Sequence, residues 1–504
     1  MLRTFSASIC VGTYISIWST LLFAGAAHGI EISHGVASGD VTDSSAVVWS
    51  RADAAATMRV TYGPAIGTTE PQTVEAVAAA NVDFTAQVLL TSLTADTLYR
   101  YEVEFVAGRN KSGVVAGVFR TAPARETAQT VTLIWSGDLA GQRYCRRPGI
   151  GYRIFTPMRN FRPDFFVANG DMIYADNDCP AQGIEPGWQN VPASFPGIGD
   201  PAVNWQEPAE LEEVFNAHWR YNRADQQFQT FLASVPMYAQ WDDHEVINDF
   251  GAPWQTYAPQ PDRMGYPNVV AAGRKSFWAY HPFDPNATTE ADGSRRIYRS
   301  YRWGAHLELF ILDARSYRSA NTDADSSAKT MLGSVQLEWL KAGLAASDAT
   351  WKIISNDVPL SVPTGSRADE FGRDAFASGD LASGFETELL DLVRHIDAHN
   401  VRNVVFIATD VHSAAQLRYE RDYDGDGDPL LFHELIAGPL SAIKGPAPVS
   451  LDPTLGPVML YAEGALFNYG TITVSTAHAG QLRADIRDES GDVRPGSELK
   501  LDPR

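Results

Sequence analysis

The sequence predicts an all-β sandwich followed by a larger α/β domain. From residue 30 to about residue 120, apolar and polar residues alternate in short segments that Gly, Asp and Thr turns separate. From Val131 onwards, short buried strands alternate with amphipathic helices, which is typical of sheets covered by helices. A polar, proline-bearing stretch at 121–130 lies between the two patterns. We therefore predict domains at residues 30–122 and 131–504.

The charge of the chain limits the classes of partner. Over 504 residues the formal net charge is −21. A nucleic-acid or anionic membrane surface requires basic patches on the protein, so this balance argues against both. An acidic chain can still bind small phosphate compounds where metal ions reverse the local charge. We expect a small-molecule substrate, no nucleic-acid surface, no stable membrane insertion and a monomer.

Residues 1–29 are predicted to be a secretory signal peptide. Arg3 precedes an apolar middle section, and small residues follow near position 27. A twin-arginine pair is missing, which indicates a Sec-type route. An uncleaved membrane anchor is the alternative, although polar residues interrupt the apolar run. The prediction is a periplasmic or extracellular protein.

Two cysteines remain if the signal peptide is removed. Cys10 leaves with the signal, and Cys145 and Cys179 stay in the mature chain. In an oxidising compartment they are able to form one disulfide. Two unpaired buried thiols are the alternative, and the sequence leaves both open.

The first domain has the pattern of a sandwich without a catalytic grouping. Alternating segments occur at 46–50, 58–62 and 99–105. The stretch LTADTLYRY at 93–101 resembles the tyrosine-corner segment of fibronectin type III domains. A tyrosine of this stretch is therefore expected to be structural.

Six predicted strands of the second domain end in polar residues. The strands are VTLIW, DFFVA, VPMYAQW, LELFIL, WKIIS and VVFIA, and the polar residues that follow them begin at positions 136, 169, 242, 313, 356 and 409. Helical stretches are predicted between them at 212–234, 334–346 and 385–399. In open α/β sheets, ligands bind at such strand ends.

The polar side chains at these strand ends are candidate residues of one functional site. They are Asp138, Asp171, Tyr174, Asp243, His244, Asn356, Asp410 and His412. If the strands lie side by side, the groups converge on one edge. Several carboxylates held close together cannot all ionise without cations, because like charges raise one another's pKa. The alternative is a set of separate surface turns and helix caps.

The order of these blocks resembles the PhoD-like branch, alkaline phosphatase D, of the calcineurin-like metallophosphoesterases. The blocks are GDLAG at 137–141, NGDMIYAD at 169–176, WDDHE at 241–245, LDARSYR at 312–318, SNDVP at 355–359 and TDVH at 409–412. The stretch HGVASGD at 34–40 resembles the start of the N-terminal domain of that family. The resemblance implies a four-layer α/β/β/α metallophosphoesterase sandwich preceded by a fibronectin type III-like β-sandwich.

The resemblance also implies roles for individual residues. Asp171 would bridge two metals, and Asp138, Tyr174 and His412 would complete the first site. Asp243, Asn356 and Asp410 would hold the second metal. His244 would stand beside the leaving-group oxygen. Arg315 would either grip a phosphate oxygen or form an ion pair with Asp313.

The donor types indicate which metals fit. A phenolate with carboxylates and one imidazole suits ferric iron, although the better-known members of the family carry a cysteine where this chain has Asp138. Two carboxylates and an amide oxygen suit Ca²⁺, or else Mg²⁺ or Mn²⁺, more than Zn²⁺. The resemblance also suggests iron and calcium.

The expected function is a secreted binuclear-metal phosphoesterase that hydrolyses phosphate monoesters or diesters with a metal-activated hydroxide. One alternative within this chemistry is a phospholipase-D-like phosphodiesterase acting on lipid head groups. An alternative from another class is a non-catalytic surface-binding protein, in which the sandwich is the working part. That alternative predicts lost ligand positions, yet every block is filled here.

Overall fold

The computed structural model describes residues 29–195, 207–251, 267–290, 293–364, 374–377 and 384–504. The predicted signal peptide at 1–29 lies outside these ranges except for Gly29. Within them, no helix has the length and apolar character that crossing a membrane requires.

The strands of the N-terminal part are β1 Ile32–Gly39, β2 Ala46–Ala52, β3 Ala56–Pro64, β4 Gln72–Ala78, β5 Thr85–Leu90, β6 Leu98–Ala107, β7 Asn110–Lys111 and β8 Val115–Arg120. Those of the second part are β9 Val131–Ser136, β10 Phe165–Asn169, β11 Met237–Gln240, β12 Arg299–Trp303, β13 Leu307–Ile311, β14 Trp351–Ser355, β15 Val404–Ala408, β16 Ala414–Arg421, β17 Leu430–Ile436, β18 Val458–Glu463, β19 Asn468–Ser475, β20 Gln481–Asp488 and β21 Leu499–Leu501. The helices are α1 Phe155–Phe161, α2 Pro208–Arg223, α3 Gln226–Leu232, α4 Pro267–Tyr280, α5 Gly333–Ala346 and α6 Glu386–Ala398.

The N-terminal strands form the predicted β-sandwich. One sheet has the order β4-β3-β6-β7, with β8 also pairing with β6, and the other contains β1, β2 and β5. Inward residues alternate with outward ones, so that Met58 and Val60 of β3 are buried. The backbone N–H of Thr94 donates to the hydroxyl oxygen of Tyr99 at 2.9 Å, which gives Tyr99 a structural contact at this corner.

One sheet of the sandwich continues into the second part of the molecule. Its nine strands run β21-β20-β19-β9-β10-β11-β1-β2-β5. The junction is the parallel pairing of Gly39 with Met237. Trp49 reinforces it, because its indole N–H donates to the carbonyl of Ala279 at 2.7 Å. The two parts of the chain are therefore joined through main-chain pairing as well as through the stretch at 121–130.

The second part is built on two sheets that face each other. The other sheet has seven strands in the order β12-β13-β14-β15-β17-β16-β18. Strands β13, β14, β15 and β17 are parallel, as are β9, β10 and β11 in the nine-stranded sheet. Side chains from both sheets share one core, in which Trp135 and Val167 belong to the same buried cluster as Ile353 and Val405. The apolar strand faces therefore exclude water from each other.

Helices cover the outer faces of both sheets. Ile134 and Phe166 of the nine-stranded sheet pack in one cluster with residues of α1 to α4. Ile354 and Phe406 of the seven-stranded sheet pack with residues of α5 and α6. The layers are therefore α/β/β/α, and the predicted fold is confirmed.

The helical stretch predicted at 212–234 consists of two helices in the structure. Helix α2 ends at Arg223, and α3 begins at Gln226. Asp225 lies between them and caps α3, with its carboxylate accepting from the backbone N–H groups of Gln227 and Phe228, each at 3.0 Å. Aspartate is among the residues preferred at this capping position, so Asp225 marks the start of a separate helix.

Cys145 and Cys179 form a disulfide, which decides between the two alternatives that the sequence left open. Cys145 lies in the loop after β9, and Cys179 lies in the loop after β10. Both are buried. The same loops carry Asp138 and Tyr174, so the disulfide connects two segments that supply candidate ligands.

Replacing both cysteines with serine is expected to lower the free energy of unfolding by about 4 kcal/mol, because the bridge closes a loop across a sequence separation of 34 residues. Denaturant titration of the double variant and of the oxidised wild type measures this difference. Reduced wild-type protein is the control and should resemble the double variant. A difference within about 0.5 kcal/mol, the range of a neutral surface substitution, would contradict the prediction.

Candidate metal centre

The candidate ligands lie where the parallel strands of both sheets end. Asn169 joins these ends across the two sheets, since its side-chain amide donates to Gln240 Oε1 at 2.6 Å and to Ser355 Oγ at 2.8 Å. It also donates to the carbonyl of Asn356 at 3.1 Å. The ends of β10, β11 and β14 are therefore held together by one buried amide, and the loops that follow them meet in one place.

Four candidate ligands have a left-handed backbone conformation. The φ angles are 59° at Asp138, 51° at Asp171, 69° at Asp410 and 53° at His412. Such angles are uncommon for residues other than glycine, and aspartate and histidine tolerate them better than most. They turn the chain sharply after each strand, and strained backbone of this kind is concentrated at functional sites.

The first cluster contains Asp138, Asp171, Tyr174 and His412. Ligand atoms of Asp138, Asp171 and His412 all lie within 4.8 Å of one another. The hydroxyl of Tyr174 is 2.8 Å from His412 Nε2, which is 3.5 Å from Asp138 Oδ1. His412 donates from Nδ1 to the carbonyl of Ile443 at 2.6 Å, so its Nε2 faces the cluster as an acceptor. This is the usual arrangement of a histidine that binds a metal.

The second cluster is adjacent and contains Asp243, Asn356 and Asp410. Ligand atoms of Asp242, Asp243 and Asp410 lie within 4.8 Å of one another. Asp171 also forms such a group with Asp243, so Asp171 lies between the two clusters. Asn356 donates from its amide nitrogen to the carbonyl of Val358 at 2.5 Å, which leaves its oxygen free to accept.

Buried oxygen atoms of these residues have no hydrogen-bond partner among the described residues. They are both carboxylate oxygens of Asp138, Oδ1 of Asp243, Oδ1 of Asn356 and Oδ2 of Asp410. Leaving such atoms unpaired in the interior is costly, and native proteins rarely do so. Hard cations bind oxygen donors of this kind. The residues present therefore fit a metal centre.

The raised pKa values of the clustered acids also fit a site that binds cations. Burial, followed by the charge of neighbouring carboxylates, raises the pKa of Asp138, Asp171 and Asp410 well above the usual range. Burial and the charge of Asp171 raise the pKa of Tyr174 in the same way. The protein alone disfavours the anionic forms, and a bound cation would restore them.

His244 is oriented by Asp176, a residue that the sequence analysis did not assign. His244 Nδ1 lies 2.7 Å from Asp176 Oδ1, and its backbone N–H donates to Asp171 Oδ1 at 3.0 Å. Burial lowers the pKa of His244, but the charges of Asp176 and Asp243 outweigh it and raise the pKa to about 10. Nε2 has no hydrogen bond to a described residue. Asp176 closes the block NGDMIYAD, and its place there is the signal that could have identified it.

Glu245 is a second residue without an assigned role in the sequence analysis. Its carboxylate accepts from the backbone N–H groups of Asp171 at 3.0 Å, Met172 at 2.7 Å and Asp242 at 2.8 Å. One buried side chain thus holds the loops after β10 and β11 in register. It is the last residue of WDDHE, but a sequence does not show which backbone groups a glutamate will bind.

In the described part of the chain, the side chain of Arg315 forms no ion pair with Asp313, so that expected ion pair is wrong. The Asp313 carboxylate accepts from the backbone N–H of Arg315 at 3.2 Å and from Trp241 Nε1 at 2.8 Å. Arg315 has 0% exposure and binds Asp242 through Nε at 2.6 Å and Asp374 through Nη1 and Nη2 at 2.5 and 2.6 Å. Its donors are already occupied inside the protein. The geometry argues against the predicted grip on a phosphate oxygen, because the guanidinium is enclosed.

Two glycines leave room for the first cluster. Gly438 has a φ of 122°, and a Cβ there would fall against Asp138 Oδ2, closer than two atoms can approach. A Cβ on Gly141 would lie 2.5 Å from the ring of Tyr174. Both positions therefore exclude larger residues.

Comparison with known proteins agrees with this arrangement. The family model for the PhoD-like phosphatase matches residues 133–489, and the model for its N-terminal domain matches residues 21–123. Alkaline phosphatase D of Bacillus subtilis (strain 168) is 25% identical over 247 residues. That alignment covers 46% of this chain and 40% of the relative.

Two solved structures share the fold. The structure of PhoD superposes with a TM-score of 0.70 at 18% identity and covers 93% of this chain and 88% of its own. The purple acid phosphatase PPD1 from yellow lupin (Lupinus luteus) seeds superposes with a TM-score of 0.55 at 13% identity, over 93% of this chain and 74% of its own. The resemblance seen in the sequence blocks is confirmed, since the family model matches well over half of the chain. The chain belongs to the PhoD-like phosphatase family.

Proposed function

We propose that the chain is a metal-dependent phosphoesterase that hydrolyses small phosphate monoesters or diesters at a binuclear centre. The observation that carries the proposal is the set of unpartnered, buried oxygen atoms of Asp138, Asp243, Asn356 and Asp410 at the ends of neighbouring strands. Membership of the PhoD-like phosphatase family supports it. The alternative of a non-catalytic surface-binding protein is not favoured, because such a protein has no use for unpaired acids in its interior.

The donor sets support ferric iron and calcium as the two metals. Asp138, Tyr174 and His412, with Asp171 between the clusters, provide carboxylate, phenol and imidazole donors, which suit Fe³⁺. Asp243, Asn356 and Asp410 offer only oxygen atoms, which suit Ca²⁺, or else Mg²⁺ or Mn²⁺. When bound, two such cations supply an activated water-derived nucleophile and neutralise charge that develops on the phosphoryl oxygens.

The protein's own residues position the proton donor. His244, held by Asp176 at 2.7 Å, would donate a proton from Nε2 to the departing oxygen of the ester. Tyr174 lies against it, with ring centroids 4.1 Å apart, and restricts the rotation of the imidazole. Glu245 keeps the loops of Asp171 and Asp242 from separating. Pre-organisation of this kind accounts for much of the catalysis of phosphoryl transfer.

The disulfide supports a location outside the cytoplasm. Structural disulfides persist in oxidising compartments such as the bacterial periplasm or the extracellular space. We propose that the protein is a monomeric enzyme that is secreted through a Sec-type signal and has no nucleic-acid partner.

Metal content is the direct test. Protein purified without chelators is expected to contain one iron and one divalent metal per chain, with a visible absorption band from the phenolate of Tyr174 on iron. Tyr174→Phe should remove the band. Tyr144→Phe is the matched control, because Tyr144 bonds to Glu185 at 2.8 Å and not to a candidate ligand. Absence of iron, or a band that persists in Tyr174→Phe, would refute the assignment of the first site.

Substrate preference separates the remaining alternatives. We expect turnover of a 4-nitrophenyl monoester or of the bis-ester to exceed that of phosphatidylcholine. Faster turnover of phosphatidylcholine would favour the phospholipase-D-like alternative instead.

A further inference from the structure

We propose that Asp374 is a positioning residue that keeps the guanidinium of Arg315 away from the second cluster and so sets the affinity of that cluster for its cation. The inference rests on the proposed function, because it assumes that Asp243 and Asp410 bind a cation. Asp374 lies in the described segment 374–377, between β14 and α6. It belongs to none of the sequence blocks.

Arg315 is a buried cation beside an acidic cluster, so its exact position matters. Its Nε is 2.6 Å from Asp242 Oδ1, while Nη1 and Nη2 form a two-point contact with Asp374 at 2.5 and 2.6 Å. Both carboxylates are buried like Arg315 itself. Charge-assisted contacts of this fork geometry are strong and directional. Nη2 also lies 2.5 Å from Asp242 Oδ1, and Nη1 also donates to the carbonyl of Phe250 at 3.2 Å. Asp374 is the carboxylate that binds both terminal nitrogens, so it contributes to the direction in which that end of the guanidinium points.

Asp374 is itself fastened in place. Arg318 donates to Asp374 Oδ1 at 2.7 Å and to its carbonyl at 3.0 Å. The amide of Asn321 also donates to Oδ1, at 3.2 Å. Asp374 has 1% exposure. Such an anchored carboxylate can hold the mobile end of an arginine against competing acids.

The competing acids are close. Arg315 Nη2 is 3.9 Å from Asp243 Oδ2, and Nε is 3.8 Å from Asp357 Oδ2. Each distance is about 1 Å longer than a direct hydrogen bond. If Asp374 loses its charge, the guanidinium gains by moving towards these carboxylates, because a buried charge without a partner is costly. It would then compete with the cation for Asp243.

The first cluster should not respond to this change. Within the described part of the chain, the hydroxyl of Tyr174 bonds to His412 Nε2, and His412 Nδ1 donates to the carbonyl of Ile443. Neither residue bonds to Arg315 or Asp374 there. The effect of Asp374 is therefore expected at one cation and not at the other.

The test is the variant Asp374→Asn, studied as the full-length protein. We expect its dissociation constant for Ca²⁺, measured by calorimetry after selective removal of the divalent metal, to rise about 10- to 100-fold, as is typical when a residue behind a metal ligand is changed. Its iron content and visible absorption band should match those of the wild type. Raising the Ca²⁺ concentration should restore turnover.

Two further variants distinguish positioning from a purely structural role. Asp325→Asn is the matched control, since Asp325 fastens a loop by accepting from the backbone N–H of Thr387 at 3.0 Å but does not contact Arg315. It should leave the Ca²⁺ affinity unchanged. In the double variant Asp374→Asn with Arg315→Gln, Ca²⁺ affinity should recover, because the competing cation is gone.

The results that would refute this inference differ from those that would refute the proposed function. Wild-type protein that binds no divalent cation would refute the binuclear centre. If the wild type binds the divalent cation and Asp374→Asn binds Ca²⁺ with the same affinity, the present inference is overturned and the binuclear centre is not. A loss of iron and Ca²⁺ to the same extent, or no recovery in the double variant, would show that Asp374 only supports the fold.

Discussion

Asp171→Asn is expected to lower turnover of a phosphate monoester by about 10⁴-fold or more, because each cation contributes several kcal/mol to stabilisation of the transition state. Asp171 is the residue shared by the two clusters. Its carboxylate lies within 4.8 Å of ligand atoms of Asp138 and His412 on one side and of Asp243 and His244 on the other. An amide at this position has one oxygen and no charge. Binding of both cations should therefore weaken together.

The measurement is elemental analysis alongside the turnover rate. Asp164→Asn is a matched control, since Asp164 lies just before the other end of strand β10 and its carboxylate accepts from the backbone N–H of Thr132 at 2.7 Å. It should keep both metals even if its stability falls. Wild-type metal content and activity in Asp171→Asn would show that the centre is not where we place it.

His244→Ala is expected to reduce turnover in proportion to how much the leaving group needs a proton. An alkyl phosphate has a strongly basic leaving group, and we expect a loss of about 10³-fold. A 4-nitrophenyl ester leaves as a stable anion, and we expect a loss of only about tenfold. The physical reason is that a proton donor contributes only where the transition state places charge on the departing oxygen.

Asp176→Asn should give the same pattern with smaller losses, because Asp176 acts through the contact of 2.7 Å that orients the imidazole. Both variants should retain their metals. Equal losses for the alkyl and the 4-nitrophenyl esters would mean that His244 supports the site structurally and does not protonate the leaving group.

Much of the metal centre could be predicted because a sequence shows where buried strands end. Short runs such as 165–168 and Val404–Ala408 are apolar at every inward and outward position, as is typical of strands buried on both faces. The acids that follow them stand out against that background. The blocks then predicted the family, and the structure brings Asp138, Asp171, Tyr174 and His412 together.

Partners of buried charges were less predictable. Asp313 is two residues from Arg315 in sequence, yet Arg315 binds Asp242 and Asp374, which are 73 and 59 residues away. A salt bridge in the interior depends on which side chains are enclosed with the charge, and sequence proximity says little about that. For the same reason, no local sequence pattern marks Asp374 as a partner of Arg315.

The sequence by itself determined the order of the two domains, the strands that carry the acids and the chemistry of the donor atoms, because these depend on local pattern and residue type. Only the tertiary structure decided three features: the disulfide between Cys145 and Cys179, the pairing of Gly39 with Met237 that joins the N-terminal strands to the sheet of the second part, and the ion pair of Asp374 with Arg315. Each of these joins segments that are far apart in the chain. Whether such segments meet depends on how the layers pack, which no local pattern records.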